Sequence, residues 1–169
     1  LGKTFVGLML IERLVRYEKK NVVLFAPKSA KVSVWEPELK RYLSKLGGGS
    51  DFSNLTVFAH TDLTRPGEFP ERFRRVAELA DAVVIDEAHH FRNTGRAPKD
   101  DWDSFSRYHR LASIIRPEGG SPKPVFMLTA TPINNSLHDF RHLTELFADD
   151  GAFAQTLGVN SVMARINQL

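Results

Sequence analysis

Val22-Val23-Leu24-Phe25-Ala26, Ala82-Val83-Val84-Ile85 and Val125-Phe126-Met127-Leu128 are short stretches of this chain with no polar side chain. Apolar runs of four or five residues rich in Val, Ile and Phe mark strands of a parallel sheet covered on both faces. Leu55 to His60 reads as a further extended segment. Helical patterns fill the intervals. They run from Thr4 to about Lys20, from about Ala30 to Leu46, from Phe69 to Leu79, from Trp102 to Ile115 and from Ser136 to Phe147, the last with Ser136 as its N-cap. The first is apolar around most of its circumference, which predicts contact with a sheet and other elements at once. Pro37 falls early in the second helix or marks a break in it. Strands alternating with helices predict an α/β domain with a mostly parallel sheet, whose ligands sit beyond the carboxyl ends of the strands.

Composition sets the remaining bounds. The chain has 169 residues, 42% of them hydrophobic and 25% charged, which is ordinary for a globular domain with a real core. No apolar run approaches the ~20 residues of a membrane span, so no membrane partner is expected. Cysteine is absent, which removes disulfides, thiolate metal sites and cysteine nucleophiles and suits an intracellular protein. A net charge of +3 permits nucleic-acid binding without arguing for it.

Each apolar run stops in a polar motif. Asp86-Glu87-Ala88-His89 follows one strand. There an aspartate can hold magnesium through its water shell, and a glutamate can orient or deprotonate an attacking water; a solvated acidic turn is the plainer alternative. Gly2-Lys3-Thr4, before an apolar helix, is the back half of a phosphate-binding loop. In such a loop the glycine admits the phosphate, the lysine carries the charge, the threonine hydroxyl can ligate magnesium, and the helix N-terminus faces the anion. Leu128-Thr129-Ala130-Thr131-Pro132 follows the last strand, where hydroxyls can bond a carboxylate or phosphate.

Together these residues resemble superfamily 2 helicase-like ATPases. Leu1-Gly2-Lys3-Thr4, Asp86-Glu87-Ala88-His89 and Leu128-Thr129-Ala130-Thr131-Pro132 look like their motifs I, II and III, the second in its DEAH form. The finer likeness is to the Swi/Snf-type branch, carried by His90-Phe91-Arg92-Asn93 and Pro132-Ile133-Asn134-Asn135. Ala26-Pro27-Lys28-Ser29, with Trp35 and Glu38, looks like motif Ia, with one residue more between Pro27 and Trp35 than its usual form. That extra residue, and Asn134 in place of a glutamine, resemble bacterial members.

The resemblance implies the N-terminal RecA-like (P-loop NTPase) lobe of a motor that couples ATP hydrolysis to movement on, or remodelling of, double-stranded DNA. It implies ATP and Mg2+ as cofactors and a bacterial cytoplasmic or nucleoid location. Lys3, Asp86 and Glu87 would be catalytic. Gly2, Lys3 and Thr4 would bind nucleotide, and Thr4 and Asp86 would hold magnesium. His89, Thr129 and Thr131 would couple nucleotide state to DNA contact, and Lys28 and Ser29 would meet the DNA backbone. The lobe is expected to span residues 1–147, with 148–169 a helical continuation. Its first strand, the start of motif I and a second RecA-like lobe are expected to lie outside this chain, which alone would be inactive. Three other readings remain open: a non-hydrolysing nucleic-acid or partner platform, an RNA helicase and a restriction translocase.

Other residues are weaker candidates for a site. His138 and His142 stand four apart on a helix, but catalytic zinc needs three protein ligands. Trp35 and Trp102 read as packing residues rather than base-stacking platforms. Arg72, Arg74 and Arg75 read as a solvated face.

Overall fold

The computed structural model describes residues 2–45, 53–65, 69–95, 104–130, 137–149 and scattered positions from 151 to 164. Four strands, β1 (Val22–Ala26), β2 (Leu55–Ala59), β3 (Ala82–Asp86) and β4 (Val125–Leu128), form one sheet in the order β2-β1-β3-β4. Every pairing is parallel, with Phe25 opposite Ile85 and Asp86 opposite Leu128. Helices cover both faces, giving the RecA-like α/β architecture.

Strand alternation divides the core in two. Val23, Phe25, Val83 and Ile85 point to one face. There they meet Phe73 of α4 (Phe69–Leu79), Leu111 and Ile115 of α5 (Arg107–Ile115), and Leu143 of α6 (Leu137–Glu145). Val22, Leu24, Ala26, Ala82 and Val84 point to the other face. Their partners are Leu8 and Ile11 of α1 (Gly2–Glu12), Trp35, and Leu39 of α3 (Glu36–Lys45). The central strands β1 and β3 are buried along their whole length. β4, predicted to be buried as well, is half-buried throughout, because it lies at a margin of the described sheet.

Several helices differ from the sequence expectation. α1 starts at Gly2 and continues as a π-helical turn over Arg13–Tyr17. It buries one face on the sheet, while Phe5, Val6 and Met9 are each more than half exposed. The helix after β1 starts at Lys28, not Ala30. It runs through α2 (Lys28–Ala30), a π-helical turn over Lys31–Trp35, and α3. Pro37 does not break it, and falls just past the π-helical turn, at the second residue of α3. β2 stops at Ala59, and His60–Thr64 form a 3-10 turn. α5 begins at Arg107 because Ser106 caps it. The Ser106 hydroxyl accepts from the His109 N–H at 3.3 Å and donates to the Thr94 carbonyl at 2.6 Å. Trp102 and Ser136 lie outside the described residues. No helix among the described residues is long and apolar enough to cross a membrane.

Candidate functional site

Parallel pairing puts the carboxyl ends of all four strands at one edge of the sheet. Because β3 lies between β1 and β4, the acidic motif after β3 stands between Lys28-Ser29 and Thr129. α1 runs back antiparallel to the strands, so its first turn returns to the same edge. Lys3 therefore meets residues more than eighty positions away. Its ammonium lies 3.4 Å from Asp86 Oδ1 and donates a hydrogen bond directly to Glu87 Oε1.

Asp86, the last residue of β3, is 5% exposed. Its two oxygens face different groups. Oδ2 accepts the indole N–H of Trp35 at 2.8 Å, and Oδ1 accepts the backbone N–H of Glu87 at 2.9 Å. Glu87 itself takes the left-handed conformation, with φ of 50° and ψ of 50°. Consecutive side chains of a strand point to opposite faces. This backbone reversal lets two adjacent carboxylates face one cation, at the cost of local strain.

Burial pulls the Lys3 ammonium down, but the hydrogen bond to Glu87 and the charges of both carboxylates outweigh it and raise its pKa. Burial pushes the Glu87 carboxyl up, yet the Lys3 bond and charge hold it below the usual range, assisted by His89 and His90. Lys3 and Glu87 thus form an ion pair.

His89, in a 3-10 turn over Ala88–Phe91, directs Nδ1 to Glu87 Oε2 at 3.1 Å and to Thr129 Oγ1 at 3.4 Å. Lys3, Asp86, Glu87, His89 and Thr129 thus form one connected cluster. Gly2 and Thr4 flank Lys3 on the first turn of α1. A Cβ at Gly2 would meet nothing within 4 Å among the described residues, so no contact of the described fold itself demands a glycine there. Lys28 and Ser29 are exposed at the end of β1, on the same edge but without a described contact to the cluster. Thr131, with Pro132 to Asn135, lies outside the described residues.

Two participants were not legible as such. Trp35 is fully buried and is no stacking platform, but it is also more than a packing residue, since it holds Asp86. The available signal was that a buried indole N–H needs an acceptor. His60 is 3% exposed and lies against His90 and Phe91, at ring-centroid distances of 5.5 and 4.8 Å, with no partner for Nε2 among the described residues. Burial first, and then the His90 charge, lowers its pKa to about 4. His142, read as half of a possible metal pair, instead directs Nδ1 to the Arg92 carbonyl at 2.5 Å. The side chain of His138 lies outside the described residues.

Among the described residues no group of three or more His, Asp or Glu side chains could hold a metal unaided. The buried Asp86 carboxylate suits magnesium, which keeps most of its ligands as water and phosphate oxygen.

No curated protein compared with this chain matches it. Residues 1–134 match the family model described as type III restriction enzyme, res subunit, and that span contains Lys3, Trp35, Asp86, Glu87, His89 and Thr129. The chain belongs to this family, and is a superfamily 2 helicase-like ATPase lobe of the N-terminal, RecA-like kind.

Proposed function

We propose that this lobe binds ATP and Mg2+ at the Lys3–Asp86–Glu87 cluster and, in the full-length protein, drives movement along double-stranded DNA. The observation that carries this reading is the convergence of Lys3 on Asp86 and Glu87 across the end of the sheet. A lone lysine between two carboxylates has little structural use at a partly exposed sheet edge. Placed where a polyphosphate can exchange for one of them, it has a clear use in nucleotide chemistry.

Each residue then has a defined task. Lys3 moves from the carboxylates to the phosphates, and Gly2 lets the backbone approach them. Thr4 and Asp86 would hold magnesium, which supplies charge neutralisation at the phosphates. Release from Lys3 frees Glu87 Oε1 to orient an attacking water and take its proton. His89 keeps the other oxygen of Glu87 in line and links it to Thr129, so a change at the carboxylate is felt at the last strand. Thr131 is assigned to the same coupling role. Lys28 and Ser29, exposed on the same edge, offer a cation and a hydroxyl to the DNA backbone.

His90-Phe91-Arg92-Asn93 and Pro132-Ile133-Asn134-Asn135 support the Swi/Snf-type branch and a bacterial source. The family description supports a second reading, a restriction translocase, which would use the same cluster in the same way. The test is Glu87→Gln in the full-length protein. Hydrolysis stimulated by double-stranded DNA should fall about 10²–10⁴-fold while nucleotide binding persists. Unchanged turnover overturns the assignment, and stimulation by RNA in place of DNA overturns the substrate.

A further inference from the structure

We infer that Trp35 is a positioning residue for magnesium: its indole N–H ties down one oxygen of Asp86 and so decides which oxygen faces the cation. This rests on the reading of Asp86 as the magnesium carboxylate. The two oxygens of a carboxylate are chemically equivalent, and a free one rotates between them. In this protein the equivalence is broken. Oδ2 is bonded to Trp35 Nε1 at 2.8 Å in a buried, charge-assisted contact. Oδ1 is turned toward the Glu87 N–H and Lys3, the side from which phosphates would approach.

The indole is itself held rigidly. Trp35 is fully buried among Leu8, Ile11, Leu24 and Leu39. Its ring edge lies where a Cβ on residue 7 would stand, 2.6 Å from Cη2, so only a glycine lets α1 approach it. A side chain with no freedom to follow its acceptor orients that acceptor. The donor comes from the helix that begins with Lys28 and Ser29, and its partner is 51 positions further along the chain. Removing a group that orients a metal-binding side chain in this way typically costs about 10–100-fold in metal affinity.

The competing possibility is that Trp35 fills the core and its N–H is merely satisfied there. Replacing Trp35 in the full-length protein by β-(3-benzothienyl)alanine, the same shape without the N–H, separates the two. Half-maximal binding of a fluorescent ATP analogue should then need roughly 10-fold more Mg2+, with the thermal midpoint nearly kept. Trp35→Phe should show the same rise with some loss of stability. In the full-length protein the Trp35 indole resonance of a ¹H–¹⁵N spectrum is identified by its loss in Trp35→Phe. That resonance should shift on adding Mg2+ with nucleotide. An isostere with wild-type Mg2+ dependence, or a resonance indifferent to Mg2+, overturns the inference. If Asp86→Ala leaves the Mg2+ requirement unchanged, the assignment of Asp86 fails instead. A raised requirement in Asp86→Ala alongside a silent isostere overturns the role of Trp35 alone.

Discussion

Lys3 and Glu87, 84 positions apart, form a direct ion pair across the end of the sheet. Both side chains are a little over a quarter exposed, so solvent screens the pair and its contribution to folding is small. Its main effect on Glu87 is to hold the carboxyl below its usual titration range. Lys3→Ala should therefore change stability by no more than about 1 kcal/mol. It should raise the Glu87 titration midpoint, readable by carboxyl ¹³C NMR, and abolish detectable nucleotide binding. A large stability loss would show that the lysine serves the fold instead.

Gly7→Ala tests the fit between α1 and Trp35. The added methyl would lie 2.6 Å from the Trp35 ring and 2.8 Å from a Leu128 methyl. Leu128 is half-buried and can yield, but the ring is fully enclosed. The variant should lose about 1–3 kcal/mol in urea denaturation. An alanine variant as stable as the parent would mean that the two helices slide apart freely.

His60 predicts an acid limb to the stability curve. Its pKa falls to about 4 in the fold, from an ordinary 6.5, through burial and the nearby His90. The unfolded chain therefore binds the proton first, so stability is full above pH 6.5 and declines as pH falls toward 4. The loss reaches roughly 3 kcal/mol below that point. His60→Phe should flatten this slope in denaturation curves between pH 4 and 7. A slope unchanged by the substitution would assign the acid sensitivity to other groups.

Ser106→Ala removes the cap of α5 and its tie to the Thr94 carbonyl. The expected loss is about 1 kcal/mol, with amide exchange fastest in the first turn, Arg107 to Arg110. Threonine at the same position should restore most of it. Equal protection in the alanine variant would show that tertiary contacts alone start this helix.

What could be read from the residues follows from where the physics is local. β1 was legible to the residue, and β3 in all but its last residue, Asp86, because a strand covered on both faces is largely apolar. β4 has the same composition but lies at a margin of the sheet, and neighbour order is not written in a strand's own residues. α5 was predicted too long because Trp102 and Phe105 extend its apolar spacing past Ser106, whose capping role depends on a carbonyl twelve positions back. Asp86 and Glu87 could be named because their motif stands at a strand end, and Lys3 because its motif opens an apolar helix. The bond from Trp35 to Asp86 could not, since it joins residues whose proximity depends on the order of β1 and β3 in the sheet.

The π-helical turn at Lys31–Trp35 closes through the Glu36 N–H and the Lys31 carbonyl, five residues apart. An inserted residue wound as ordinary α-helix would swing everything after it by about 100°, carrying the indole away from its carboxylate. The wide turn takes up the added length instead, and the surplus emerges on the outside, where Val32 is 60% exposed. Trp35 keeps its bearing. The segment can thus carry one extra residue on its outer surface while the inner bearing, the one that meets Asp86, stays constant.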